Sequence, residues 1–126
     1  MTPNHPTGGV AFVTGGGGGI GGATAERLAE NGVAVAVADI DADLADDVRD
    51  RITSAGGTAA AVRLDVTDPG SISRAIADAE AALGPIDQLV NTAGIFQWAA
   101  MEDISDADFE NMFRIHVFGM HSVCRA

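Results

Sequence analysis

Tyrosine and lysine are absent from this chain, and cysteine occurs once, as Cys124. Neither a phenol nor an ammonium side chain is available for acid–base work, and a single thiol excludes an internal disulfide. Nothing in the sequence around Cys124 would activate it, so it is read as a reduced, partly buried thiol. Positive charge is also scarce: all seven basic residues are arginine, set against 18 acids, for a formal net charge of −11. That balance repels nucleic acid and anionic membranes, and neither is expected as a partner. A solvated acidic surface that aids solubility accounts for it.

No apolar run approaches the length needed to cross a bilayer. The opening residues, MTPNHPTGG, lack the basic start and apolar core of a secretory signal. They are expected to form a flexible leader over residues 1–9, and the protein to be cytoplasmic. No metal is expected either. His116 and His121 stand five apart on an expected helix, which puts them on different faces.

What the chain does have is 47% apolar residues, enough for a core within one domain, and a dense glycine stretch. Val10 to Ala25 reads VAFVTGGGGGIGGATA. Strand formers end at Thr14, five glycines follow from Gly15 to Gly19, and a helix begins at Ile20-Gly21-Gly22. Read alone, the glycines would pass for a linker. Between a strand and a helix with Ala25, Leu28, Ala29 and Gly32 on one face, they read instead as a turn whose amides approach a pyrophosphate.

The pattern then alternates. Val33 to Ala38 is a continuous apolar run suited to a strand covered on both faces, ending at Asp39. A helix follows with Leu44, Val48, Ile52 and Ala55 as its stripe and Asp47 paired with Arg51. Thr58 to Leu64 is a third strand running into Asp65-Val66. Asp68 caps a third helix with Pro69 at its first position and Ile72, Ala75, Ile76, Ala79 and Leu83 inward. Gly84-Pro85 ends it, Ile86 to Val90 is a fourth strand, and Asn91-Thr92-Ala93-Gly94 follows. The irregular stretch Ile95 to Glu102 carries Phe96, Gln97, Trp98 and Met101, for which ordinary packing is the favoured reading. Ser105 and Asp108 open a last helix with Phe109, Met112, Phe113, His116, Val117, Met120 and Cys124 on its apolar side.

These βα repeats predict an α/β protein: a Rossmann-type, doubly wound parallel sheet over residues 10–126 with strand order 3-2-1-4. Both the glycine turn and Asn91 to Gly94 arrive at the crevice where that order reverses. Asp39 lies 18 residues beyond Gly21, near the offset at which a carboxylate accepts from the adenosine ribose, so NAD is preferred over NADP. The competing account makes Asp39 one of several acids, with Asp41 and Asp43, that favour the next helix N-terminus.

Thr14-Gly15-x-x-x-Gly19-x-Gly21 and Asn91-Thr92-Ala93-Gly94 together resemble the short-chain dehydrogenase/reductase family. The resemblance implies hydride transfer between a nicotinamide dinucleotide and a small alcohol or carbonyl substrate, commonly in a homodimer or tetramer. Carried onto this sequence, it implies cofactor binding by Thr14, Gly15, Gly19, Ile20, Gly21, Asp39, Asp65, Val66, Asn91, Ala93 and Gly94. Asp65 would take the adenine amino group; a turn-forming acid ahead of Asp68-Pro69 is the alternative. The family's Tyr-x-x-x-Lys and its catalytic serine have no counterpart here. His116, in Ile115-His116-Val117-Phe118-Gly119, occupies the place of the family's relay asparagine. It is either a relay residue or a satisfied interior or interface histidine. The resemblance thus implies the cofactor-binding part of a longer enzyme, incomplete relative to the family. A non-catalytic nucleotide-binding module, or an inactive truncated fragment, is the alternative.

Overall fold

The computed structural model describes residues 8–126, so most of the expected leader lies outside the described residues. Gly8 and Gly9 are described: the Gly8 carbonyl accepts from Gln88 Nε2 at 3.1 Å and that of Gly9 from the Ala34 amide at 3.0 Å.

Four parallel strands, β1 (Val10–Thr14), β2 (Ala34–Asp39), β3 (Ala59–Arg63) and β4 (Gln88–Asn91), form one sheet in the order β3-β2-β1-β4. The expected order is the observed one. Helices α1 (Gly19–Glu30), α2 (Ala42–Ser54) and α3 (Pro69–Leu83) make the crossovers. Alternation along the central strands divides the core in two. Phe12, Ala36 and Ala38 face α3 with Ile72, Ala75 and Ala79, while Ala11, Val13, Val35 and Val37 face α1 and α2 with Ala25, Val48 and Ile52. Covering both faces is why β1 and β2 are apolar at consecutive positions, Val10 to Val13 and Ala34 to Ala38, rather than at alternate ones.

Local signals behave as their chemistry requires at α3. Asp68 accepts from the Gly70 amide at 2.9 Å, Pro69 opens the helix, and Gly84 ends it at φ 96°. In α2 the inward stripe is Ala45, Val48 and Ile52. Leu44 and Ala55, expected inside, are exposed. Alanine at 45 weakens the inner stripe, and the larger Leu44 draws a hydropathy reading one residue off phase. Arg51 does not pair with Asp47 but reaches across to Glu26 of α1 at 2.6 Å.

After β4 the backbone is irregular to a short 3₁₀ turn at Met101–Asp103. Phe96, Trp98 and Met101 are 81%, 90% and 82% exposed, so the packing expected of them is not what they do. The Phe96 and Trp98 rings pair with each other, centroids 5.8 Å apart. Helix α4 (Asp106–Phe113) opens on the expected capping box, with Ser105 and Asp108 bonded reciprocally. It then widens into a π-helical turn, Arg114–Gly119, and continues as α5 (Met120–Arg125). The extra residue in the π turn rotates the helix face. Gly119 and Val123 are buried and Met112 and Ile115 half-buried, whereas Phe109, Phe113, Val117, Phe118, Met120 and Cys124 are exposed. Apolar residues on both sides left the inward face ambiguous in the sequence. Cys124, expected partly buried, instead lies exposed with its Sγ 3.4 Å from Asn91 Nδ2. No described helix is long and apolar enough to cross a membrane.

Candidate cofactor site

At the carboxyl ends of the strands lies a cleft of about 380 Å³, within the ordinary range for small-molecule sites. The glycine turn forms one side of it through Gly15 and Gly18. Asp39 and Ile40 after β2, then Asp65, Val66 and Thr67 after β3, form a second; Thr92 to Ile95 after β4, with Asn111 and Ile115, complete it. Of the residues assigned from sequence, Gly15, Asp39, Asp65, Val66, Ala93 and Gly94 line the cleft. Thr14, Gly19, Ile20, Gly21, Asn91 and His116 do not line it directly.

The glycines sort by what forces each one. Gly15 sits at φ +64°, and a Cβ there would lie 2.8 Å from the Ala93 backbone. A Cβ on Gly16 would meet the Val13 carbonyl at 2.9 Å, and one on Gly17 the Leu44 Cβ at 2.7 Å. On Gly21 it would overlap the Gly15 carbonyl oxygen and stand 2.5 Å from Thr92 Oγ1. These four are glycine because protein atoms already fill the space. Gly19 is different, since nothing lies within 4 Å of its Cβ position. Helix α1 has no side-chain cap and no acid in its first turn. The amides of Gly19, Ile20 and Gly21 have no acceptor among the described residues, leaving a helix N-terminus suited to an anion.

Thr14 holds the two sides of the crevice together. It is fully buried, and its Oγ1 accepts from the amides of Thr92 and Ala93, each at 3.2 Å, while donating to Asn91 Oδ1 at 3.5 Å. Thr92 answers by donating its hydroxyl to the Thr14 carbonyl at 2.6 Å. The threonine at position 92 thereby ties β4 to β1, a role invisible in the tetrapeptide alone.

Asp39 is not the cap of α2: Asp41 is, accepting from the amides of Asp43 and Leu44 at 3.0 and 3.2 Å. Asp39 accepts instead from Gly17 N through Oδ2 and from Asp41 N through Oδ1, both at 3.0 Å. Each carboxylate oxygen retains acceptor capacity, and the carboxylate ties the glycine turn to the end of β2.

Asp65 forms a turn, with Oδ1 accepting from the hydroxyl and the amide of Thr67 at 2.6 and 2.9 Å. Its Oδ2 has no donor among the described residues, so turn formation leaves one oxygen for a ligand. The Thr67 hydroxyl, then its amide, hold the Asp65 carboxyl below its ordinary value. The Ser105 hydroxyl does the same for Asp108. A depressed folded pKa contributes stability present above the unfolded value, about 3.9, and lost as pH falls through the folded value. Urea denaturation should therefore show a loss of stability confined to pH below about 4. Thr67→Val should flatten the acid limb; an unchanged limb would remove Asp65 from this account.

Thr67, Asn111 and Ile115 were missed from sequence. Thr67 carried a signal, two residues after a turn-forming Asp, whereas Asn111 and Ile115 depend on the rotation of the last helix.

A parallel sheet with a glycine-rich turn at its reversal point defines a Rossmann-type α/β nucleotide-binding architecture. The family model described as short chain dehydrogenase matches residues 9–126, and the chain belongs to that family. It is 41% identical over 113 residues to 2,5-dichloro-2,5-cyclohexadiene-1,4-diol dehydrogenase LinX of Sphingobium indicum, covering 90% of this chain and 45% of that protein. It is 40% identical over 122 residues to a sorbitol dehydrogenase of Cereibacter sphaeroides, covering 92% and 46%. A dehydrogenase/reductase crystal structure from Sinorhizobium meliloti superposes with a TM-score of 0.88 at 41% identity, covering 95% of this chain and 48% of that one. The chain spans about half the length of the relatives it matches.

Proposed function

We infer that this chain supplies the cofactor-binding part of an NAD-linked oxidoreductase that interconverts an alcohol and a carbonyl. The observation that carries it is one cleft bringing together the glycine turn, the Asp39 carboxylate and the Thr92–Ile95 backbone. These residues fit a dinucleotide. The uncapped amides of Gly19, Ile20 and Gly21 suit its pyrophosphate. Asp39 retains acceptor capacity for the ribose hydroxyls, Asp65 and Val66 border the adenine side, and Asn91, Ala93 and Gly94 serve the nicotinamide side. When bound, the nicotinamide supplies or accepts the hydride. The protein residues orient the two halves and exclude water between them. Relatives named for a diol and for sorbitol support an alcohol as one partner of the reaction.

A carboxylate at 39 favours NAD over NADP, because it accepts from a 2′-hydroxyl and repels a 2′-phosphate, and Ile40 beside it offers no cation. Asp39→Ala is expected to weaken NADH binding about tenfold and to leave NADPH binding unchanged or improved, since one charge-assisted hydrogen bond is lost and one repulsion removed. Fluorescence titration with both nucleotides reads this. An unaltered ratio of the two affinities would sink the assignment of Asp39.

A second reading is a nucleotide-binding module without catalysis. It is favoured by the absence of tyrosine and lysine from the 126 residues, which leaves the family's acid–base pair unfilled by this chain. An intact mass of 12.8 kDa for the polypeptide as its source cell produces it, with NADH bound and no alcohol turned over, would support it; a much larger mass would return the first reading.

A further inference from the structure

The π-helical turn Arg114–Gly119 touches two separate walls of the cleft. At one end, buried Gly119 lies against Val66 after β3, so closely that a Cβ on Gly119 would stand 2.7 Å from Val66 Cγ2. In its middle, His116 reaches the wall after β4. Its Nε2 lies 2.7 Å from the Ile95 carbonyl oxygen and 3.2 Å from the Ile95 amide nitrogen. The imidazole also fills the place where a Gly94 side chain would stand, since a Cβ there would overlap Cε1 and lie 3.0 Å from Nδ1. Gly94 has no positive φ. Its small size is required by the ring rather than by backbone strain.

We propose that this turn is a brace that sets the width of the cleft, with His116 as a positioning residue for the Gly94–Ile95 backbone rather than a proton-relay acid. A neutral imidazole nitrogen either donates or accepts, not both. The Ile95 amide also points at Nε2, so either tautomer meets this backbone; the shorter approach, to the carbonyl, selects the form in which Nε2–H donates to Ile95 O. A carboxamide offers a donor and an acceptor side by side, matching both the Ile95 carbonyl and its amide. Asparagine at 116 should therefore hold the same backbone, and alanine should release it.

The test uses the 126-residue chain labelled with ¹⁵N-histidine and with ¹³C at the Ile95 carbonyl. NMR should find His116 in the Nε2–H form. His116→Ala should shift the Ile95 carbonyl resonance, and His116→Asn should return it toward its original position. The binding arm rests on the proposed cofactor reading: His116→Ala should weaken NADH about tenfold, and His116→Asn should stay within about twofold of the parent. A parent chain that fails to bind NADH would overturn the cofactor reading alone, because the carbonyl shifts of the two His116 variants still decide the brace. A carbonyl resonance indifferent to His116→Ala would overturn it, as would an asparagine variant no better than alanine. Gly94→Ala supplies the steric half. It should disturb the Ile95 resonance in the parent but much less in a His116→Ala background; equal disturbance in both would also count against the brace.

Discussion

Gly21→Ala is expected to cost about 3 kcal/mol or more, at the upper end of what overpacking costs, and to abolish NADH binding with it. The added methyl would overlap the Gly15 carbonyl oxygen and press on Thr92 Oγ1, at 2.5 Å. Neither neighbour can yield cheaply. Gly15 is held at φ +64° with its carbonyl accepting from Gly18 N at 3.1 Å, and Thr92 Oγ1 is committed to the Thr14 carbonyl at 2.6 Å. Relief in either direction pushes α1 away from the ends of β1 and β4. Gly19→Ala is the matched contrast, because its methyl would meet no protein atom. Placed at the first position of α1, alanine should change stability by no more than about 1 kcal/mol, and in the favourable direction. It should still weaken NADH about tenfold if the ligand occupies that space. Urea midpoints and fluorescence titrations of both variants separate the two effects. A Gly19→Ala chain that binds normally would remove Gly19 from the phosphate cradle, and a Gly21→Ala chain of parental stability would contradict the packing described here.

That contrast marks how far the sequence reaches. Strand order, three crossover helices and the two capping sites were legible because each rests on short-range chemistry: apolar runs for strands covered on both faces, Asp68-Pro69 and Ser105–Asp108 for helix starts. The glycine turn was legible as a unit, but not the division of labour inside it. It takes the folded packing to separate Gly15, Gly16, Gly17 and Gly21, which answer to protein atoms, from Gly19, which answers to none. The last helix was misread for a physical reason. Its π turn breaks the 3.6-residue phase, turning Gly119 and Val123 inward and leaving Phe109, Phe113 and Val117 exposed. Arg51 was misassigned because a neighbouring helix offered Glu26, and no spacing rule within α2 reports a partner on α1.

Thr14→Val should destabilise the chain by about 1–3 kcal/mol, although the two side chains nearly match in shape. Valine keeps the β-branched form that suits a central strand, and it opens no cavity. What it removes is the single buried oxygen that accepts from both Thr92 N and Ala93 N. The Thr92 amide retains the Thr14 carbonyl at 3.2 Å, so the Ala93 amide bears the loss. An amide left half-buried without an acceptor costs its desolvation, which outweighs the small gain from an added methyl. Thr14→Ser makes the opposite trade, keeping the oxygen and giving up a methyl worth about 1 kcal/mol. Serine should therefore be the milder substitution, against the order that hydrophobic burial alone would give. Because Ala93 and Gly94 line the cleft, Thr14→Val should also loosen NADH while Thr14→Ser largely preserves it. Urea denaturation and NADH titration of the pair decide the matter. If valine proves as stable as threonine, the hydroxyl is not what fixes the β4 end, and the register of β1 with β4 must do so through its backbone bonds alone.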